Sequence, residues 1–223
     1  MQPKVIVADE SHFRFAEAVC AMMEESAKIR GTGIAKRKPT YIIEKMQQGK
    51  AIIALDEDMV VGFCYIESWE NKKYVANSGL IVHPDYRKSG LARRIKSAVF
   101  ELSKKLYPQS LLFGITTSMA VMKINSDLGY KPVPFAELTQ DEQFWKGCQS
   151  CINYDILLRT NRKMCLCTGM LCDFNALPTN SNKSTRWSIF KTFVKNRRQR
   201  IKKNWGNFPK LITLLKNEKN NKK

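Results

Sequence analysis

The feature that most constrains the fold is a basic, glycine-containing loop that joins an apolar strand to an amphipathic helix. Residues 73–82 (KYVANSGLIV) have the composition of a strand, and residues 91–106 repeat apolar side chains at helical spacing. Residues 87–92 (RKSGLA) stand between them. Free backbone N–H groups in the first turn of a helix bind anions, and a glycine lets a phosphate approach the chain. The loop therefore predicts a phosphate-bearing ligand.

The other apolar runs predict a single α/β domain around this loop. Within residues 4–135 the order is strand, helix, helix, three strands, helix, strand, helix and strand. Asp56, Glu57 and Asp58 separate two apolar runs as a hairpin turn would, and Gly79 suits a bulge in the third of the three strands. A mixed central sheet with helices on both faces accounts for this order.

The composition indicates a folded chain with an uneven charge. Hydrophobic residues make up 43% of the 223 positions, which is enough for one folded domain. No apolar run approaches the roughly 18 to 20 residues that span a bilayer, and the first residues do not resemble a signal peptide. We therefore expect a soluble, cytoplasmic protein. Residues 183–223 hold 14 Lys and Arg against one acid and carry +13, so the body is only mildly basic.

At the loop, the sequence resembles the GNAT family of acyl-coenzyme A-dependent N-acyltransferases, whose pyrophosphate loop reads Q/R-x-x-G-x-G/A. The stretch SGLIVHPDYRKSGLARRIKSAVFE matches the family's strand, loop and helix in order, and residues 128–130 (LGY) resemble the Leu-Gly-Phe that ends its fourth helix. The resemblance covers residues 4–135. It implies the GNAT fold and the transfer of an acyl group from acetyl-CoA, or a related acyl-CoA, to an amine.

The resemblance also implies where the coenzyme binds. Backbone N–H groups of residues 88–93 would hold the pyrophosphate, and the strand edge at residues 80–82 would pair with the pantetheine arm. The thioester would lie where that strand diverges from residues 111–117, with a backbone N–H near Val82 polarising its carbonyl. The coenzyme-contacting residues implied are Leu80, Ile81, Val82, Arg87, Lys88, Ser89, Gly90, Leu91, Ala92, Arg93 and Ser118.

Two departures from the family pattern affect the candidate catalytic positions. Asn125 stands where many GNAT enzymes carry a Tyr that protonates the leaving thiolate, and an amide is not a general acid. Ala76 stands where some relatives carry a general-base Glu. Glu67, at the end of the preceding strand, is our candidate base, acting through a water, with Tyr74 and His83 as alternatives. Positioning of the reactants can supply much of the rate without these groups.

For the acceptor, the resemblance points to residues 24–37. Arg30, Lys36 and Arg37 could hold a carboxylate. Glu25 could steer an ammonium group, and a solvated helix end is the alternative interpretation. This segment and the cysteine-bearing extension also resemble stand-alone GNAT proteins of the N-acetylglutamate synthase type. That resemblance implies a small amino-acid acceptor such as glutamate, and a role in arginine biosynthesis.

Two other functions stay open on the sequence. One is the same chemistry on a protein Lys or N-terminus, for which we would expect an open, acidic acceptor groove. The other is a catalytically silent acyl-CoA-binding scaffold, which Asn125 and Ala76 favour. The basic tail could touch an anionic surface or remain a solvated appendage, and because nothing in it reads a base sequence, nucleic acid is not favoured. A homodimer is also left open.

The cysteines suggest a metal site in the extension. Cys148, Cys151, Cys165 and Cys167 have spacing that can supply four thiolates to a structural zinc, while buried apolar thiols are the alternative. We predict three parts in the chain: a GNAT domain at 1–135, a Cys-rich extension at 136–174 packed on it, and a linker with a basic helical tail at 175–223.

Overall fold

The structure is a computed structural model that describes residues 2–30 and 36–177, together with Thr192, Lys195, Asn196 and Gln199. The chain divides into two compact units, Met1–Thr179 and Asn180–Lys223. The elements given below lie in the first unit. The predicted tail helices and residues 31–35 of the acceptor segment lie outside the described residues.

Seven strands and six α-helices make up the described part of the first unit. Two short 3-10 turns add to them at Glu10–Phe15 and Pro84–Tyr86, and a third at Phe135–Glu137. In chain order the elements are β1 (Lys4–Val7), α1 (Ala16–Arg30), α2 (Pro39–Gln47), β2 (Ala51–Asp56), β3 (Met59–Trp69), β4 (Tyr74–Val82), α3 (Leu91–Leu106), β5 (Leu111–Thr116), α4 (Met119–Leu128), β6 (Lys131–Val133), α5 (Glu142–Lys146), α6 (Tyr154–Arg159) and β7 (Thr168–Asp173).

The strands form one mixed sheet in the order β1-β2-β3-β4-β5-β7-β6. β4 and β5 run parallel, and the other neighbouring strands are antiparallel. α1 and α2 bury side chains such as Val19 and Ile42 in one core with Phe63 and Tyr65 of β3. α3 packs on β2, β3 and β4, close enough that a Cβ at Gly62 would lie 2.4 Å from Ile95 Cδ1. The predicted mixed sheet flanked by helices is confirmed.

The parallel pairing of β4 with β5 is short. Tyr74, Val75 and Ala76 pair with Leu111, Leu112 and Phe113, and no further pairs join the two strands. Beyond that point β4 stays paired with β3, while β5 stays paired with β7. Because each strand keeps a partner on its outer side, the sheet can open between them without leaving both edges of either strand unpaired.

The segment after residue 135 completes the sheet. β7, which the sequence patterns did not predict, lies between β5 and β6. A second core forms beside it from Phe113, Phe135, Trp145 and Leu157, and the indole N–H of Trp145 donates to the Thr139 carbonyl at 2.9 Å. The division of the chain at residues 135 and 174 stays a prediction. The described residues contain no helix with the length and apolar character of a membrane span.

Gly79 forms the predicted bulge in β4. Phe63 pairs with Ile81 and Tyr65 pairs with Ser78, so two residues of β4 oppose one residue of β3. Gly79 has a φ of +65°, and a Cβ there would lie 2.4 Å from Tyr65 Cε1 and 2.5 Å from Met23 Cε. Both neighbours are buried, so glycine is required here for its backbone angle and for space.

We expect Gly79→Ala to lower the free energy of unfolding by about 2 to 4 kcal/mol, since it adds a buried clash to the strain of a positive φ. Gly49→Ala is the matched control, because Gly49 has a φ of +63° and open space around a Cβ. It should cost only about 1 kcal/mol. Urea unfolding of both variants measures the difference, and equal losses would contradict the steric account.

Candidate active site

A cavity of about 520 Å³ opens where β4 and β5 diverge. Its walls include residues 76–80 of β4 and residues 114–116 of β5, and side chains from α1, α2, α3 and α4 also line it. The segment after residue 135 contributes further wall residues, among them Phe135 and Phe144. The opening in the sheet is therefore a partly enclosed site bordered by exposed strand edges.

The loop before α3 has the form of an anion site. Gly90 is the N-cap of α3 with a φ of +85°, has no side-chain cap, and leaves open space where a Cβ would project. Ser89 Oγ donates to the Tyr86 carbonyl at 2.6 Å, and Arg87 Nε donates to the Val82 carbonyl at 3.3 Å, which ties the loop to β4. Lys88 also has a positive φ. The first turn of this 16-residue helix thus faces open space with its dipole favouring an anion.

The cations that follow the loop are held by other groups. Arg93 Nη1 pairs with Asp127 at 2.7 Å, and Arg94 Nη2 donates to the Pro3 carbonyl at 2.7 Å. The backbone N–H of Arg93 donates to the Gly90 carbonyl at 3.0 Å. The Leu91 N–H donates to Ser89 Oγ at 3.4 Å. Any contact with a phosphate in this region therefore rests mainly on the loop and on Ala92 in the first turn of α3.

The strand residues predicted to meet the coenzyme lie beside the opening. Leu80 lines the cavity, whereas the side chains of Ile81 and Val82 are buried and their backbones pair with β3. Ser118 lines the cavity as the N-cap of α4, where its Oγ accepts a hydrogen bond from the Val121 N–H at 3.4 Å. These placements are compatible with the predicted coenzyme path along β4.

Glu67 lies in the cavity wall with its side chain only 16% exposed. Its Oε1 is 3.3 Å from Lys45 Nζ, an ion-pair distance, although it makes no hydrogen bond within the described residues. Burial raises the pKa of Glu67 to about 7, while the charge of Arg37 opposes that rise. Burial also lowers the pKa of Lys45. A carboxyl group with such a pKa can take up a proton from a reactant near neutral pH.

Arg37 lines the same cavity and is held by two tyrosines. Its Nε donates to the Tyr65 hydroxyl at 3.0 Å, and its guanidinium lies 5.0 Å from the centre of the Tyr41 ring. Its Nη1 also donates to the Lys36 carbonyl at 3.3 Å. These contacts hold the guanidinium, a planar donor group, at the cavity wall. Of the other acceptor-site candidates, Glu25 is exposed and does not line the cavity, and the side chain of Arg30 lies outside the described residues.

Asn125 projects from α4 into the cavity wall and is almost fully buried. Its Nδ2 lies 3.7 Å from Met170 Sδ, and its Oδ1 has no hydrogen-bond partner within the described residues.

The alternatives to Glu67 as base are less well placed. The Tyr74 hydroxyl lies 3.5 Å from the Glu137 carbonyl, and His83 is not among the cavity residues.

The four cysteines of the extension, Cys148, Cys151, Cys165 and Cys167, line the cavity as free thiols. Burial raises the pKa of Cys148 to about 11 and that of Cys167 to about 12, which favours thiols over thiolates. In residues 2–30 and 36–177, no group of three or more His, Cys, Asp or Glu side chains is arranged to hold a metal ion. The zinc prediction is therefore not supported.

Several residues of the cavity were not predicted as site residues from the sequence. Tyr41, Tyr65 and Lys96 line the cavity, and the sequence patterns gave none of them a role in the site. One signal for Lys96 was present, because Lys96, Val99 and Ser103 share a helix face at i, i+3 and i+7 and all three are buried. A polar residue on an inward face was the clue.

Comparisons with known proteins bear on this geometry. The model of the Acetyltransferase (GNAT) family matches residues 19–113, a range that includes Glu67 and the loop before α3. No curated protein matches the chain.

Solved structures share the fold at low sequence identity. The protein yncA of Salmonella typhimurium, solved with acetyl-CoA, superposes with a TM-score of 0.54 at 13% identity over 81% of this chain and 99% of its own. A Mycobacterium tuberculosis protein solved with CoA gives 0.52 at 13% identity, over 76% and 98%. N-acetylglutamate synthase from Neisseria gonorrhoeae, solved with CoA and N-acetyl-glutamate, gives 0.51 at 13% identity, over 77% of this chain but only 35% of the synthase. At this identity the likeness establishes the fold, and the predicted GNAT fold is confirmed.

The raised pKa of Glu67 predicts a pH-dependent stability. The folded chain holds the Glu67 proton up to a pH of about 7, against an ordinary pKa of 4.5, so this stabilisation is complete below pH 4.5 and is lost as pH rises through 7. The free energy of unfolding of the wild type should therefore fall between pH 5 and 8. We expect this fall to be about 1 to 3 kcal/mol smaller in Glu67→Gln. Urea unfolding across that range measures it, with Glu44→Gln, which removes an exposed carboxylate of α2, as the control. Parallel curves for wild type and Glu67→Gln would contradict the burial argument.

Proposed function

We propose that this chain, whose residues 19–113 match the model of the Acetyltransferase (GNAT) family, transfers an acyl group from acyl-CoA to the amine of a small, carboxylate-bearing molecule. The observation that carries this proposal is that Glu67 and Arg37 both line the cavity at the opening between β4 and β5. One side chain can take a proton from an amine, and the other can bind a carboxylate.

The coenzyme would enter along the first turn of α3 and the edge of β4. We propose that the N–H groups of residues 88–92 hold the pyrophosphate around Gly90, and that residues 80–82 border the pantetheine arm. The thioester then reaches the opening, where backbone N–H groups of β4 can stabilise the oxyanion that develops on the carbonyl. Ser118, at the start of α4, borders the same opening.

Glu67 is the proposed general base. With a pKa raised to about 7, it would be largely ionised in mildly alkaline solution, and it could accept the proton of the attacking amine directly or through a water. Because an amine attacks a thioester readily once it is deprotonated, the cavity need only align the two reactants and supply this base. No covalent intermediate on the enzyme is required.

Arg37 is the proposed acceptor anchor. Its guanidinium can bind a carboxylate with two parallel hydrogen bonds, and the Tyr41 ring and Tyr65 hydroxyl already fix its plane. This chemistry suits an amino acid, with glutamate as the first candidate, and acylation of glutamate in the cytoplasm would give the chain a role in arginine biosynthesis. A catalytically silent acyl-CoA-binding protein is the second candidate, which the amide of Asn125 favours because it cannot act as an acid.

Replacement of Gly90 by Val should weaken CoA binding at least tenfold, because the side chain would occupy the space the pyrophosphate needs. Isothermal titration with CoA measures the affinity. Gly49→Val is the control for backbone strain, since Gly49 also has a positive φ and open surroundings but lies outside the loop before α3. Equal affinity in Gly90→Val and wild type would contradict the assignment of the loop.

Thiol release from acetyl-CoA and succinyl-CoA across a panel of free amino acids, with mass detection of products, tests the acceptor. We expect one carboxylate-bearing amino acid to be acylated. Arg37→Met should raise the KM for that acceptor at least tenfold while leaving the KM for acyl-CoA within about twofold. Binding of CoA without acylation of any amino acid would overturn the small-acceptor proposal and favour the silent scaffold or a protein acceptor.

A further inference from the structure

A buried lysine reaches the cavity from the helix that follows the phosphate loop. Lys96 of α3 is only 3% exposed, yet it lines the cavity. The ion pairs found among the described residues do not include Lys96. Burying an ammonium group without a carboxylate is costly, so a lysine at such a position calls for an explanation beyond packing.

The ammonium group is held at the apex of the opening between β4 and β5. Lys96 Nζ donates to Asn77 Oδ1 at 3.1 Å, and Asn77 is the first residue of β4 beyond the last pair with β5. The Asn77 amide is fixed in turn, since its Nδ2 donates to Ser103 Oγ at 2.7 Å and its Oδ1 also accepts from the Tyr130 hydroxyl at 3.1 Å. Lys96 is therefore anchored beside the point where the two strands part.

The surroundings of Lys96 bring its pKa close to that of a thiol. Burial lowers the pKa of Lys96 to about 8, and the Cys64 thiol of β3 opposes this shift. Tyr130, whose ring centre lies 5.3 Å from Nζ, stays a neutral hydroxyl because burial raises its pKa well above the ordinary value. Cys172 of β7 acts on Tyr130 in the same direction. An ordinary thiol has a pKa of about 8.5, so a proton can pass between Lys96 and a thiol bound beside it at little cost in free energy.

We propose that Lys96 is the catalytic acid of the acyl transfer, donating a proton from Nζ to the sulfur of CoA as the thioester breaks. This inference rests on the proposed function, which places the thioester in the opening that Lys96 and Asn77 border. It also accounts for the amide at Asn125, because a cavity with an acid on α3 does not need a second one on α4.

The bonds and protons balance in this step. The acceptor nitrogen forms a bond to the carbonyl carbon, and the carbon–sulfur bond breaks with its electron pair leaving on sulfur. Glu67 takes the proton from nitrogen, and Lys96 gives a proton to sulfur, so the products are the amide and the free thiol of CoA. Lys96 and Glu67 then exchange protons with water, which restores the ammonium and the carboxylate before the next turnover.

Ionisation of the CoA thiol in the binary complex tests this contact without any acceptor. CoA enriched with ¹³C at the methylene next to sulfur reports its own thiol by NMR and is not confused with the protein's cysteines. In the wild-type complex the ammonium of Lys96 should lower the thiol pKa below that of free CoA, by about one pH unit. In Lys96→Met the bound thiol should titrate at or above the value for free CoA. Lys105→Met, which removes an exposed lysine from the last turn of the same helix, should behave as wild type.

The possible results separate the role of Lys96 from the proposed function. If the wild type binds CoA but its thiol titrates as in free CoA, or if Lys96→Met leaves a lowered value unchanged, the role of Lys96 is overturned while the proposed function stands. If the wild type does not bind CoA, the proposed function fails and this inference fails with it. Should Lys96→Met not fold, Lys96→Gln carries the same expectation, and circular dichroism together with CoA affinity verifies each variant.

Kinetics with the acceptor found in the panel give a second readout that a structural role would not change. Lys96→Met should lower kcat with acetyl-CoA about a hundredfold. The loss should shrink at least tenfold with the selenoester analogue of acetyl-CoA, whose selenolate leaves without needing a proton. The wild-type kcat should also fall as pH rises above about 8, since the acid is then deprotonated. Equal losses with thioester and selenoester would overturn the acid role.

Discussion

The separation of β4 from β5 after three residue pairs is the constraint on which the rest of the structure depends. A sheet can open only where each diverging strand keeps hydrogen-bond partners on its other side. β3 supplies them for β4, and β7 supplies them for β5. The strand β7, which comes from the segment after residue 135, is therefore part of the scaffold that keeps the opening in place. The bulge at Gly79 lies in the same stretch of β4 and bends it beside the cavity.

The opening concentrates polar groups that would be unfavourable in an ordinary core. Glu67, Lys96 and Asn125 line one cavity, and the first two have pKa values moved toward neutrality by burial. Asn125 Oδ1 has no hydrogen-bond partner within the described residues. Buried groups that are charged or unsatisfied destabilise a fold, and they persist where a ligand or a reaction uses them. The cavity thus combines an apolar aromatic wall, with Trp69 and Phe144 in contact, and a few convergent polar groups.

The sequence was informative where local physics decides the structure. The glycine at the start of α3, the bulge at Gly79 and the apolar periodicity of α3 each follow from short-range rules, and each was predicted. β7 was missed because TGMLCD is short, lacks clear alternation and forms a strand only by pairing with β5 and β6. The spacing of the cysteines suggested zinc, yet the fold sets the thiols along a cavity wall, a placement that depends on tertiary packing. Lys96 was missed because a lysine on an amphipathic helix ordinarily faces water.

The central claim is that the opening between β4 and β5 holds the reacting thioester. A crystal structure with an acetyl-CoA analogue in which a methylene replaces the thioester sulfur tests it most directly. The account predicts the pyrophosphate against the loop at residues 88–92 and the acyl carbonyl between residues 77–80 and residues 114–116. An acyl group bound outside this opening, or β4 and β5 closed into a continuous ladder in the complex, would contradict it.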